Sequence, residues 1–218
     1  MSELKSWNDF LEPMEHEIKG CSIVLGVSAC RVDDCKGKFD GIRTHCNIRN
    51  PESNQKVKTC DYFYIPNERS IFLCVEFSDL LAQKNTRDDS IEKIKSLDII
   101  RSEKKSIIKK SDSVSLISDE MADKIVNTDF ILRELYSRKY SEFICDIPNE
   151  SHSKHFLIVY YLPNSDEIDR ARMSDSQNDT FHNEEERLNS KLATHLFAYI
   201  NNKIHWLEIR TFQEVYCN

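Results

Sequence analysis

Glycine and proline are scarce in this 218-residue chain, at 4 and 5 residues. No glycine-rich phosphate loop and no Gly-x-Ser-x-Gly elbow occurs, which sets aside P-loop and α/β-hydrolase chemistry. The 8 cysteines contain no Cys-x-x-Cys knuckle, and there is no internal repeat. Long apolar runs are missing too, and the opening MSELKSWNDF lacks a signal-peptide core. These absences predict a soluble, cytoplasmic protein that makes no use of a membrane. A basic excess is also absent: the formal net charge is −7 and the pI near 5.6. Contact with nucleic acid would therefore need a local patch or a partner protein.

The residues that are present suit a globular domain with a heavily charged surface, 39% hydrophobic and 31% charged. The length fits one domain, or one domain carrying an insertion. Reduced thiols are expected in the absence of an export signal. Cys60, Cys74 and Cys145 sit in apolar runs and read as small core residues. Cys21, Cys30, Cys35 and Cys46, with His45, have the ligand types for zinc, but the missing knuckle weighs against such a site. His152 and His155 read as a surface and a strand-edge histidine.

In chain order, Ser2–Ile18 reads as an amphipathic helix, with Leu4, Trp7, Leu11, Met14 and Ile18 at helical spacing and Gly20 as its stop. Cys21–Ala29 reads as a strand. Arg31–Lys58 is a polar connection with one short strand around Phe39–Ile48. Asp79–Ser111 is a charged segment of partial helical spacing. Its cluster Lys104, Lys105, Lys109 and Lys110 is either a solvated helix face or a contact for phosphate or an acidic partner. A second helix is expected to start at Ser118. His155–Leu162 reads as a strand buried on both faces. Pro163–Glu185 is a polar loop, Arg187–Ile200 a helix, and Ile204–Tyr216 a closing strand.

The strongest chemical lead is Thr59–Leu80. Cys60–Ile65 and Ser70–Phe77 read as two strands around the turn Pro66-Asn67-Glu68-Arg69. With Ile65 paired to Ser70, Asp61 falls opposite Cys74 and Glu76 becomes its diagonal neighbour on the same face. Two carboxylates so placed can share a metal ion; the plain alternative is two strand-edge acids facing water.

Helix, a strand opened by Asp61, a strand ending in Glu76-x-Ser78, then a helix and a buried strand: this order resembles the PD-(D/E)xK nuclease superfamily. The resemblance implies an α/β fold with a central mixed sheet flanked by helices, as in restriction endonucleases. It implies one nuclease-like domain over 1–218, with a charged helical insertion at about 79–141. Asp61 would match the metal-binding aspartate and Glu76 the acid of the acid-x-lysine pair, with Mg²⁺ or Mn²⁺ as cofactor. Ser78 stands where the family has lysine, so Lys56, Lys58 or Lys84 would have to reach in, Lys58 being best placed. The function implied is a nuclease-like subunit of a bacterial anti-phage defence complex, reaching nucleic acid through its protein partners. A catalytically inactive scaffolding subunit of such a complex is the alternative, and an unrelated α/β domain with incidental acids is a third reading.

Overall fold

The computed structural model describes residues 4–34, 40–49, 54–66, 70–79, 89–97, 100–110, 113–137, 144–148, 152–161, 186, 190 and 204–218. The chain starts with β1 (Lys5–Ser6), a 3₁₀ turn (Trp7–Phe10), β2 (Leu11–Pro13) and β3 (Ser28–Arg31). The one-turn helix α1 (Ile42–His45), β4 (Tyr62–Tyr64) and β5 (Ile71–Ser78) follow. Helices α2 (89–96), α3 (Arg101–Lys110) and α4 (Ser113–Tyr136) come next. The strands β6 (Ile144–Cys145), β7 (Ser153–Tyr160) and β8 (Ile204–Glu208), then helix α5 (Ile209–Tyr216), complete the described order.

Six strands form one mixed sheet in the order β2-β3-β4-β5-β7-β8. The pairs from β2 to β5 are antiparallel, whereas β5, β7 and β8 run parallel. Side-chain alternation divides the core cleanly. Phe63, Phe72, Cys74, Phe156 and Ile158 face one side, against Trp7, Phe10 and the α4 residues Met121, Ile125, Leu132 and Leu135. Tyr62, Leu73, Val75, Leu157 and Val159 face the other, against Met14, Ile18 and the α5 residues Ile209 and Phe212. The expected α/β architecture, a mixed sheet with helices on both faces, is present. Strand β7, between β5 and β8, reads as expected: Phe156, Leu157, Ile158 and Val159 are all buried.

Several local expectations are corrected. Ser2–Ile18 is not a helix. Pro13 lacks the N–H a helix interior requires and pairs instead with Ser28 on the outer edge of the sheet. The helical spacing arose because Trp7 and Phe10 enter one core while Met14 and Ile18 enter the other. The strand expected at Cys21–Ala29 forms only as Ser28–Arg31, because Gly26, at φ +72°, interrupts the extended run. The strand expected within Phe39–Ile48 is the short helix α1. It packs so closely that a Cβ on Gly41 would lie 2.4 Å from the carbonyl oxygens of Val32 and Asp33.

Helix α4 begins at Ser113, ahead of the expected start at Ser118. The closing segment is a strand only to Glu208. There the Glu208 side chain accepts the Arg210 N–H at 2.8 Å and starts α5. Within the hairpin, Phe63 rather than Asp61 lies opposite Cys74, a slip of two residues from the expected register. An even slip keeps every side chain on its face, so the shared face of the two acids survives it. Turn residues 67–69, Lys84, Cys35, and the expected loop 163–185 lie outside the described residues, as does all of the expected helix 187–200 except 190.

Candidate functional site

Asp61 immediately precedes β4, and Glu76 is near the carboxyl end of β5; β3, which runs antiparallel to β4, ends at the same edge with Arg31. In open α/β sheets, the carboxyl ends of parallel strands are the usual location for ligands. A cavity of about 310 Å³ opens here, and its lining includes Asp61, Glu76, Arg31 and Lys124. The Asp61 N–H donates to Val75 O at 3.0 Å, and the Phe77 N–H donates to Asp61 Oδ2 at 2.8 Å. These two bonds clip Asp61 onto β5 beside Glu76. From the other side, the Cys60 N–H donates to Thr128 Oγ1 of α4 at 3.0 Å, fixing the residue before Asp61 to the helix.

The cation of the site is Lys124 on α4. Its Nζ forms a hydrogen-bonded ion pair with Glu76 Oε1, the lysine largely and the glutamate almost wholly buried. Glu76 Oε2 is buried and has no hydrogen-bond partner among the described residues. Burial pushes the Glu76 carboxyl well above its usual range, the Asp61 charge adds to this, and Lys124 opposes it. Burial also raises Asp61, against the pull of Lys124, the Phe77 N–H and Arg31. For Lys124 burial works against the charge, yet Glu76 and Asp61 outweigh it and the ammonium is held more firmly than usual. Two carboxylates facing one ammonium leave an excess negative charge in a desolvated place. A proton or a divalent cation relieves it.

Neither lysine favoured from the sequence meets the acid pair. Lys58 Nζ lies 3.4 Å from Glu120, and Lys56 Nζ lies 2.7 Å from Asp34. Asp34 also receives Arg43 Nη2 at 3.1 Å, while Arg43 Nη1 donates to Val57 O at 2.7 Å and a further ion pair joins Arg43 to Asp33. Although partial burial works the other way, Lys56, Thr44 and Arg43 hold the Asp34 carboxyl down at about 2. This network pins Asp33 and Asp34 along one wall of the cavity. Ser78 is buried and its Oγ has no partner among the described residues.

Lys124 escaped the sequence reading because its charge sits in the middle of a helix, far from the hairpin. A signal was present: it flanks the buried stripe Met121, Ile125, Thr128, Leu132 and Leu135, where a lysine can reach inward along its aliphatic stem. Arg31 was missed for a similar reason. It stacks over the Tyr62 ring at 4.6 Å and donates to Tyr62 Oη at 2.6 Å.

The cysteines considered for zinc are divided by the sheet. Cys30 and Cys46 belong to the core on the α4 side, and Cys21 packs against the opposite core. Burial raises both Cys30 and Cys46, the latter to about 12. Among the described residues, no group of three or more His, Cys, Asp or Glu side chains is arranged to hold a metal ion, and no helix is long and apolar enough to cross a membrane. No family model, curated protein or solved structure matches this chain.

Proposed function

We propose that Asp61, Glu76 and Lys124 form a metal-dependent phosphodiesterase site of nuclease type, on a fold akin to that of restriction endonucleases. The observation that carries this reading is the buried cluster itself, with two carboxylates, one lysine and an unpartnered Glu76 Oε2 beside a polar cavity. Mg²⁺ or Mn²⁺ fits this donor set, since such ions take hard oxygen ligands, often one or two carboxylates with water completing the shell. Asp61 and Glu76 would hold it, and it would supply Lewis-acid polarisation of a phosphate and a more acidic water. Lys124 takes the place that Ser78 leaves empty in the acid-x-lysine pattern. Its ammonium, aimed into the site from α4, stabilises negative charge developing on phosphate oxygens. The setting in a bacterial defence complex rests on the family resemblance, and a partner protein would supply the grip on nucleic acid. The competing reading, an inactive scaffolding subunit, is favoured by one observation: Lys124 is already closed onto Glu76.

The test pairs Mn²⁺ calorimetry with cleavage assays on DNA and RNA, for the wild type, Glu76→Gln and Lys124→Met. Glu76→Gln is expected to lose both metal binding and cleavage. Lys124→Met should keep metal binding and lose roughly 100-fold or more in cleavage rate, the scale for one electrostatic contact to a transition state. Wild-type protein that binds no Mn²⁺, or binding indifferent to Glu76→Gln, defeats the reading.

A further inference from the structure

Strands β7 and β8 run parallel, and the register that sets Leu157 beside His205 makes His155 its diagonal neighbour on the same face. By strand alternation both histidines belong to the α5 side of the sheet, the side of Leu157 and Leu207. They sit toward the amino ends of their strands, whereas Glu76 is near the carboxyl end of β5, which runs the same way. Neither histidine lines the cavity beside the acid pair.

The two rings approach closely. His155 Nδ1 lies 3.2 Å from His205 Nε2, with ring centroids 5.4 Å apart and planes 19° from parallel. The other ring nitrogen of His155, Nε2, lies 3.2 Å from Ser153 Oγ on the same strand. With Nε2–H donating to that oxygen, Nδ1 keeps its lone pair on the side of His205. Histidines that hold metal ions are commonly oriented in this way, by a hydrogen bond from the other ring nitrogen. His155 is half-buried on a strand paired on both sides, while His205 is exposed on the last strand of the described sheet. One ring is therefore held, the other can turn, and solvent reaches the pair.

We propose that His155 and His205 form a binding site for a late first-row transition-metal ion such as Zn²⁺ or Ni²⁺, with water completing its shell. Imidazole nitrogen suits these ions, whereas Mg²⁺ prefers oxygen ligands. Zinc–nitrogen bonds run about 2.0–2.1 Å, so two nitrogens 3.2 Å apart subtend about 100° at the ion, close to a tetrahedral angle. The strands already hold the nitrogens at that spacing, and a turn of the exposed His205 ring brings its lone pair onto the ion. The site differs in donor chemistry from the oxygen cluster of Asp61 and Glu76. A bound ion ties β8 to β7.

Calorimetric titration of the full chain with Ni²⁺ and with Zn²⁺ tests this, comparing wild type, His205→Gln and His155→Gln. Excess Mg²⁺ in the cell competes for oxygen ligands and leaves imidazole alone. The wild type should bind one ion that each variant binds at least about tenfold more weakly, since even a residue that only orients a ligand is worth that much. His205 is exposed, so His205→Gln without metal should unfold at the wild-type Tm. Zn²⁺ should raise the Tm of the wild type and leave that of His205→Gln in place, because an ion stabilises only the fold that binds it. Equal affinity in wild type and both variants assigns the ion to thiols or to the acid pair and overturns the proposal.

Ring ¹⁵N spectra give a reading of the same site atom by atom. On adding Zn²⁺, the resonances of His155 Nδ1 and His205 Nε2 should move together. If the two nitrogens stay joined by an N–H···N hydrogen bond at saturating Zn²⁺, the pair shares a proton and holds no ion, and the proposal fails.

Discussion

Glu76 is a carboxyl group whose surroundings disfavour its charge, and this has a consequence for stability that does not depend on catalysis. Burial and the Asp61 charge raise its folded pKa above the unfolded value. The folded state then keeps a proton that the unfolded chain has already released. The stability contributed by that proton is fully present below the ordinary glutamate range and is lost as pH rises through the folded value. Glu76→Gln cannot ionise, so its Tm should fall less than that of the wild type between about pH 4.5 and neutral. At pH 7 the variant should be more stable by roughly 1 kcal/mol, a usual size for one substitution and a usual sign at a functional site. Lys124 keeps Asp61 as a partner in the variant, since both acids act on it. Thermal unfolding of both proteins across this pH range checks the expectation; a variant less stable than the wild type at pH 7 means that the Lys124–Glu76 attraction dominates. The acid pair was legible in the sequence because a charged residue inside an apolar strand breaks the alternation visibly. Lys124 was harder to read, because it comes to the site through a tertiary contact and its one local sign is a place beside the buried stripe of α4.

Helix α4 joins the site to the sheet at Thr128. This threonine is buried, and its Oγ1 accepts the Cys60 N–H one residue before Asp61. Replacing it with valine keeps the shape but leaves a buried N–H without a partner, at a cost of about 1–3 kcal/mol. Thr128→Val should lower the unfolding free energy by that amount, seen as a lower urea midpoint with an unchanged slope, whereas Thr128→Ser should recover most of the loss. Because the same bond seats Asp61, the valine variant should also bind Mn²⁺ more weakly. Equal stability of Thr128→Val and wild type would show that α4 does not hold β4 in place. At this scale, elements with one period and no interruption were readable: β4, β5 and β7 alternate or run apolar throughout. Ser2–Ile18 was not, because apolar residues serving two opposite cores fall by chance at helical intervals, and only Pro13 argued otherwise. Ile204–Tyr216 misled for the opposite reason: half of it is a strand, and the capping side chain of Glu208 is a glutamate, an unusual choice for a cap.

For the whole molecule, charge decides what the site can do alone. The chain carries −7, and the cavity is lined by Glu15, Glu17, Asp33, Asp34 and Asp79 in addition to the acid pair, against Arg31 and Lys124. A phosphodiester backbone approaching this edge meets net repulsion unless a cation is bound or another surface neutralises it. Affinity for nucleic acid grows with the number of phosphates that lysine and arginine neutralise. The basic helix α3 carries Lys104, Lys105, Lys109 and Lys110, and Lys104 Nζ already donates to Lys95 O at 3.0 Å. One helix of ten residues reaches few phosphates at once and would give a shallow dependence of affinity on salt. The isolated protein should therefore bind DNA and RNA no more tightly than the nonspecific range of roughly 10⁻⁴–10⁻⁶ M at physiological salt. Mg²⁺ should strengthen that binding through Asp61 and Glu76, and Glu76→Gln should abolish the Mg²⁺ effect. Fluorescence anisotropy with labelled oligonucleotides, over a salt series with and without Mg²⁺, measures all three. Nanomolar binding by the chain alone, with a steep salt slope, would mean that a basic surface elsewhere on the molecule carries the nucleic acid. The supply of that grip by a partner protein would then be unnecessary.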